Sequence, residues 1–252
     1  MNNFTIANDY VLPSKGLVYT ADVDPNFKLR SMTTLEEMKR LNYSDKPNKN
    51  IAEIIDDCLV EGIGISAYDL CLPDFQYVLN KLRIVTYGPS YTLASKCPWC
   101  GSQNTNDVDL DSMSIIEFDE EEYKKYVEFE LPQTKKMIKI RPQTPRILDN
   151  ISVRVKEAKI KKIPLVGDIT LLYTLESLIA SIDDRVPERH KVSEFVKNLP
   201  MMDTNYILKS ADKLNELFGL DKQLRHTCSY CGLDYTGSFR ITTEFFGPTI
   251  DR

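Results

Sequence analysis

KCPWCGS, residues 96–102, sets two cysteines two residues apart and follows them with a glycine. Alone, that spacing serves a redox pair, half of a metal site or nothing. A redox pair normally leads into a helix, whose dipole stabilises the attacking thiolate. Here the chain continues GSQNTNDVDLD, polar and then strand-like. The pattern returns at Cys228-Ser229-Tyr230-Cys231-Gly232. Two such turns supply four thiolates, the set zinc takes in a closed tetrahedral shell with no open position for chemistry. Cys97, Cys100, Cys228 and Cys231 are therefore the expected ligands of one structural Zn2+, each glycine letting the backbone curl toward the ion.

A gap of 128 positions between Cys100 and Cys228 is far longer than that of a small zinc ribbon. It becomes intelligible if the chain contains itself twice. Leu12-Pro13 precedes Lys28-Leu29-Arg30 and Thr33, as Leu131-Pro132 precedes Lys139-Ile140-Arg141 and Thr144. Ile54-Ile55-Asp56-Asp57 is echoed by Ser181-Ile182-Asp183-Asp184. Asp74-x-x-Tyr77-Val78-Leu79 is echoed by Asp203-x-x-Tyr206-Ile207-Leu208. These echoes run in one order at similar intervals and each series ends in a Cys-x-x-Cys-Gly turn. Halves of 1–122 and 123–252 follow, each bringing two ligands to a shared site; the alternative is a single fold with coincidental echoes.

Hydrophobic spacing predicts the elements within each half. TTLEEMKRL reads as a helix start, with Thr33 or Thr34 as cap and Glu36 or Glu37 completing the box. NIAEIIDDCLVEG places Ile51, Ile54, Ile55, Cys58 and Leu59 on one face and ends at Gly62. PDFQYVLNKLR does likewise, with Asp74 as cap. After the acidic run DEEEYKKY at 119–126, VEFEL and KMIKIR read as strands around a turn. DITLLYTLESLIASI carries Leu172, Leu175, Ile179 and Ile182 at helical spacing. DTNYILKSADKLNELFGL is a helix capped by Asp203 and closed at Gly219. The expected fold class is α+β, mainly helical, with two pseudo-repeated halves and short strands joined at a shared four-cysteine, zinc-ribbon-like site.

With 252 residues, 42% hydrophobic and 27% charged, the chain has the composition of an ordinary globular protein. No stretch approaches a membrane span, and MNNFTIANDY lacks the basic start and apolar core of an export signal. Six cysteines in such a chain point to reduced thiols or metal rather than a disulfide scaffold. Residues 107–130 hold ten acidic and two basic side chains, and 135–162 hold ten basic and two acidic. Blocks of this kind are solvated faces that pair with each other or with a neighbour. Nucleic acid is the less favoured partner, since the chain is acidic overall and the basic block has almost no aromatic residues.

No phosphate loop, dinucleotide fingerprint or nucleophile elbow is present. His226, two residues before Cys228, is a spare ligand candidate, and His190 stands alone in a charged loop. Cys58 and Cys71 read as buried packing residues. Asp56-Asp57 and Asp183-Asp184 read as solvated or capping groups. Trp99 and Tyr230 either pack on the sheet or present an aromatic tip. No enzymatic reaction is expected.

Three segments carry a family resemblance: IIDDCL…LPDFQYVLNKLRIVTYGPSYTLASKCPWCGSQNTNDVDLDSMSI, FELPQTKKMIKIRP, and CSYCG…RITTEFFGP. Together with the opening VLPSKGLVY at 11–19, they resemble the baseplate hub subunit family of T-even-type contractile-tailed bacteriophages. The resemblance implies a virion protein of the tail baseplate, present in the host cytoplasm during assembly, with other baseplate and tail-tube proteins as partners. It carries over no catalytic residue. The rival readings are a zinc-ribbon nucleic-acid-binding or transcription protein, a tail assembly chaperone absent from the mature particle, and a thiol oxidoreductase.

Overall fold

The computed structural model describes residues 5–161, 167–239 and 245. The chain opens with strands β1 (Ala7–Val11) and β2 (Asn26–Arg30), then helices α1 (Thr34–Arg40) and α2 (Pro47–Cys58). Strand β3 (Leu59–Glu61), helix α3 (Leu72–Tyr87), the hairpin of β4 (Ser90–Lys96) and β5 (Gln103–Asp109), and a short β6 (Ile115–Ile116) follow. Next come α4 (Glu120–Val127), β7 (Glu128–Glu130), β8 (Met137–Ile140), α5 (Pro145–Ile160) and α6 (Ile169–Leu178). The last elements are β9 (Ile179–Ile182), α7 (Arg189–Lys197), α8 (Met201–Leu214), β10 (Gly219–Leu220), and the hairpin of β11 (Gln223–Thr227) and β12 (Asp234–Ser238). The fold is thus mixed helix and sheet rather than mainly helical, with five small antiparallel sheets among the described residues.

Two of those sheets have three strands, ordered β1-β2-β3 and β7-β8-β9. In each, the third strand leaves a helix with no loop between them. Leu59 pairs with Leu29 and Ile179 with Ile140, and in both ladders the register shifts just before the paired residue of the middle strand. The sequence expectation carried the helices to Gly62 and Ile182. Both end earlier, at Cys58 and Leu178, because the ladder to the middle strand takes over the backbone hydrogen bonds. An apolar residue three or four places on suits either conformation.

Asp74 and Asp203 correct another expectation, because neither caps its own helix. Each sits inside the first helical turn, fully buried, and reaches back to the turn after a Leu-Pro pair. Asp74 accepts from the Ser14 N–H (3.1 Å), the Ser14 hydroxyl (2.5 Å) and the Tyr19 hydroxyl (2.6 Å). Asp203 accepts from the N–H groups of Gln133 (2.8 Å) and Thr134 (2.9 Å). Burial works against charge at both. It prevails at Asp74, whose carboxyl is raised from its ordinary value, and at Asp203 the backbone donors outweigh it and lower the carboxyl. Each turn carries a left-handed lysine, Lys15 (φ 54°) and Lys135 (φ 58°).

Helix starts agree with the sequence at Thr33, which caps α1 with Glu36 closing the box, and Thr144 caps α5 in the same way from its side chain. Glu36 also takes the Arg30 guanidinium at 2.8 Å and the Thr33 N–H at 2.7 Å. Burial opposes its charge, but the Arg30 and Thr33 donors hold the carboxyl down at about 2. A lowered folded pKa means stability present above the ordinary value near 4.5 and lost as pH falls toward 2. Glu36→Gln should cost on the order of 2 kcal/mol at neutral pH. In urea melts run at a series of pH values, the gap from wild type should close through that acid window.

One core gathers residues between Leu12 and Met113 together with Leu220, Phe239 and Phe245, so the end of the chain returns to the first half. A second gathers Tyr123 to Phe218 with Cys71. Cys58 and Cys71 lie in these two cores as packing residues. The IIDD echo does not survive: Asp56 holds Ser66 and Ala67 beyond α2, whereas Asp183 and Asp184 form a left-handed turn after β9. The opposed charge blocks meet within the chain. Lys135 pairs with Glu130 (3.3 Å) and Lys139 with Glu128 (4.0 Å) across the β7–β8 hairpin, while Arg154 holds Glu176 at 2.6 Å.

Candidate metal centre

Each Cys-x-x-Cys sequence forms the tip of a two-stranded hairpin. The β4–β5 register runs from Ser90↔Asp109 to Lys96↔Gln103, and the β11–β12 register from Gln223↔Ser238 to Thr227↔Asp234. The chain between them closes identically at both tips. The Cys97 N–H donates to the Ser102 carbonyl (2.9 Å) and the Gly101 N–H to the Cys97 carbonyl (3.0 Å). The Cys228 N–H donates to the Leu233 carbonyl (3.0 Å) and the Gly232 N–H to the Cys228 carbonyl (2.9 Å). Gly101 and Gly232 stand at φ 74° and 72°, in the left-handed region that a side chain penalises.

The two tips face each other. All four cysteine sulfurs lie within 4.8 Å of one another. Across the hairpins, Cys97 Sγ is 3.8 Å from Cys231 Sγ and Cys100 Sγ is 3.7 Å from Cys228 Sγ. A regular tetrahedron with metal–sulfur bonds of about 2.3 Å has sulfur–sulfur edges of about 3.8 Å. A disulfide would need about 2.05 Å, and all six cysteines are free. Both cysteine turns run on into strands, so the helix dipole that a redox pair uses is missing from each. The donor set and its edges fit a four-thiolate metal ion.

Around the sulfurs the tips share a polar frame. Asn104, buried on β5, accepts from the Ser229 N–H and hydroxyl (both 2.9 Å) and directs its amide toward Cys228 Sγ (3.5 Å). Ser95 and Tyr235 join hydroxyl to hydroxyl at 2.6 Å, and the Trp99 indole N–H donates to the Asp234 carbonyl at 3.0 Å. The N–H of Cys231 leads the groups that draw the Cys228 thiol down to about 6, with Tyr230 and Asn104 adding to it against burial. At Cys231 the Leu233 N–H pulls the same way, but burial and the three facing thiols prevail and push it up to about 12. The Ser102 side chain and backbone lower Cys100. Four thiols this close cannot all ionise unaided; a divalent cation among them would reverse that balance.

The remaining candidates fall elsewhere. His226 is not in the sulfur cluster: its ring is buried against Tyr235, 5.6 Å between centroids, and burial lowers its pKa. His190 lies on α7 and pairs with Glu188 at 3.2 Å. Trp99 and Tyr230 are both exposed at the tips. Sequence reasoning missed Asn104, which stands in the polar run QNTND and is buried only where the two tips meet. Among the described residues no helix is long and apolar enough to cross a membrane. A family model described as T4 bacteriophage base plate protein matches residues 8–247. No curated protein and no solved structure matches the chain.

Proposed function

Because the chain belongs to the T4 bacteriophage base plate protein family, we propose that it is a non-enzymatic structural subunit of the baseplate hub, built as two repeated halves clamped by one structural zinc ion. The observation that carries the clamp is the set of four sulfurs within 4.8 Å, drawn from two hairpins far apart in the chain. Zinc is the preferred ion because a closed, tetrahedral, all-thiolate shell suits it. The paired features described above support the repeat: Leu-Pro turns tied to Asp74 and Asp203, register shifts before Leu29 and Ile140, threonine caps at Thr33 and Thr144, and matching cysteine tips. Halves of 1–122 and 123–252 accommodate these pairs, and the C-terminal residues that pack in the first core add a second tie between them.

The reading assigns the molecule a load-carrying role: a cross-linked two-part body that docks to other baseplate and tail-tube proteins, first in the host cytoplasm and then in the particle. Pairing of the basic block with carboxylates of the same chain supports protein rather than nucleic acid as the neighbour. Mass spectrometry of gradient-purified tails, followed by tracing of the chain in a cryo-EM map, tests it. Detection in mature tails, with the chain at the central hub, is the expected result. Absence from mature tails would overturn it in favour of an assembly chaperone that leaves.

A further inference from the structure

The tips of the two cysteine hairpins are held together by more than their sulfurs. Asn104 of β5 receives the N–H and the hydroxyl of Ser229 in the other turn, both at 2.9 Å. Ser95 of β4 meets Tyr235 of β12 at 2.6 Å, and the Trp99 indole N–H reaches the Asp234 carbonyl at 3.0 Å. Asn104 and Tyr235 are buried, which shelters their bonds from competing water. None of these bonds uses a cysteine. The tips therefore stay opposed when the chemistry of the sulfurs changes.

Within that frame the thiols divide by exposure. Cys97 and Cys228 are buried, at 1% and 2%, while Cys100 and Cys231 are open to solvent. Each close sulfur contact across the hairpins joins one of each kind: Cys231 faces Cys97 at 3.8 Å, and Cys100 faces Cys228 at 3.7 Å. An exposed thiolate is the one a soluble oxidant reaches, and a buried thiol facing it is placed to resolve the product. The partners stand 134 and 128 positions apart in the chain. A bond between them ties the two hairpins, whereas a bond within either turn closes only a tiny loop and ties nothing.

We infer that the four-cysteine cluster is also a modification site, which hydrogen peroxide converts into two disulfides, Cys97–Cys231 and Cys100–Cys228, so that the clasp outlasts the ion. In each pair the exposed thiolate attacks one peroxide oxygen. The O–O bond breaks, the sulfur becomes a sulfenic acid and hydroxide leaves. The buried thiolate then attacks that sulfur, the S–O bond breaks, and a second hydroxide leaves as the disulfide forms. Each disulfide thus gives up two electrons to one peroxide. Its sulfurs are no longer thiolates, the form that binds metal, and the ion is released. Such an exchange suits a protein assembled in a reducing cytoplasm and then carried out of it in a particle. The inference takes the zinc reading for its starting state, while the pairing of the sulfurs follows from the hairpin geometry alone.

Full-length protein, purified reduced in the presence of zinc, tests it by titration with hydrogen peroxide. Trypsin leaves each cysteine pair on one peptide, 97–124 and 226–240. After oxidation and digestion without reductant, mass spectrometry should find the two as one linked species. Fragmentation should place its bonds at Cys97–Cys231 and Cys100–Cys228. A zinc-sensitive dye should report loss of the bound ion at about two peroxides per chain, and dithiothreitol with added zinc should restore the starting form. The oxidised chain should melt at a higher temperature than reduced chain stripped of metal by a chelator. Two separate peptides, each with an internal disulfide, overturn the inference. So do sulfinic or sulfonic acids in place of disulfides, bonds between different chains, or zinc retained through the titration. Zinc measured before peroxide is added judges the zinc reading on its own: its absence there sinks that reading, and the peptide map still decides the pairing.

Discussion

Cys97→Ser and Cys228→Ser should each lose the bound metal and cost several kcal/mol, to similar degrees despite standing far apart in the chain. Structural zinc in an all-thiolate shell is worth on the order of 10 kcal/mol, comparable with the whole stability of a domain at 5–15 kcal/mol. With the proposed ion in place each cysteine would supply one corner of a single tetrahedron, so removing either would open the same shell. Elemental analysis and urea denaturation of the two variants check both halves of the claim. Full zinc occupancy in either single variant would falsify shared coordination. Because the thiols must release protons to bind, metal affinity should fall as the pH is lowered.

The second large effect belongs to a residue without any motif. Asp149→Ala should cost about 3–4 kcal/mol, because it strips the acceptor from two N–H groups at the start of α2 and from the Tyr68 hydroxyl in a buried place. Asp149→Asn keeps an acceptor and loses only the charge that complements the helix start, so about half that loss is expected. Hydrogen exchange should show the change first at the Asn48 and Lys49 amides, a hundred residues away along the chain. An alanine variant that exchanges there as slowly as wild type would mean that α5 is not what caps α2.

What could be read in advance follows from range. The capping box at Thr33 and Glu36 is complete within four residues, and the Cys-x-x-Cys-Gly turns carry their own donors, acceptors and glycine; both stand where the sequence put them. The strands at VEFEL and KMIKIR are likewise a local hairpin. The ends of α2 and α6 were misjudged because the deciding hydrogen bonds come from β2 and β8, tens of residues away. Asp74 and Asp203 were misread for the same reason: an aspartate near a helix start caps locally by default, and here a distant Leu-Pro turn outbids the helix. Asp149 and Asn104 left almost no trace, since a polar residue facing inward looks like any surface residue until its partner is known.

The separation of the two cysteine tips along the chain has a consequence in time. Synthesis proceeds at about 5–20 residues per second, so roughly 7–26 s pass between Cys97 and Cys228 leaving the ribosome. During that interval the first hairpin holds two of the four thiols without their partners, open to oxidation or to capture by another nascent chain. Closure must therefore wait until nearly the whole chain is made and cannot nucleate the fold, and ribosome-stalled chains truncated before residue 228 should carry their first pair of thiols open to alkylation.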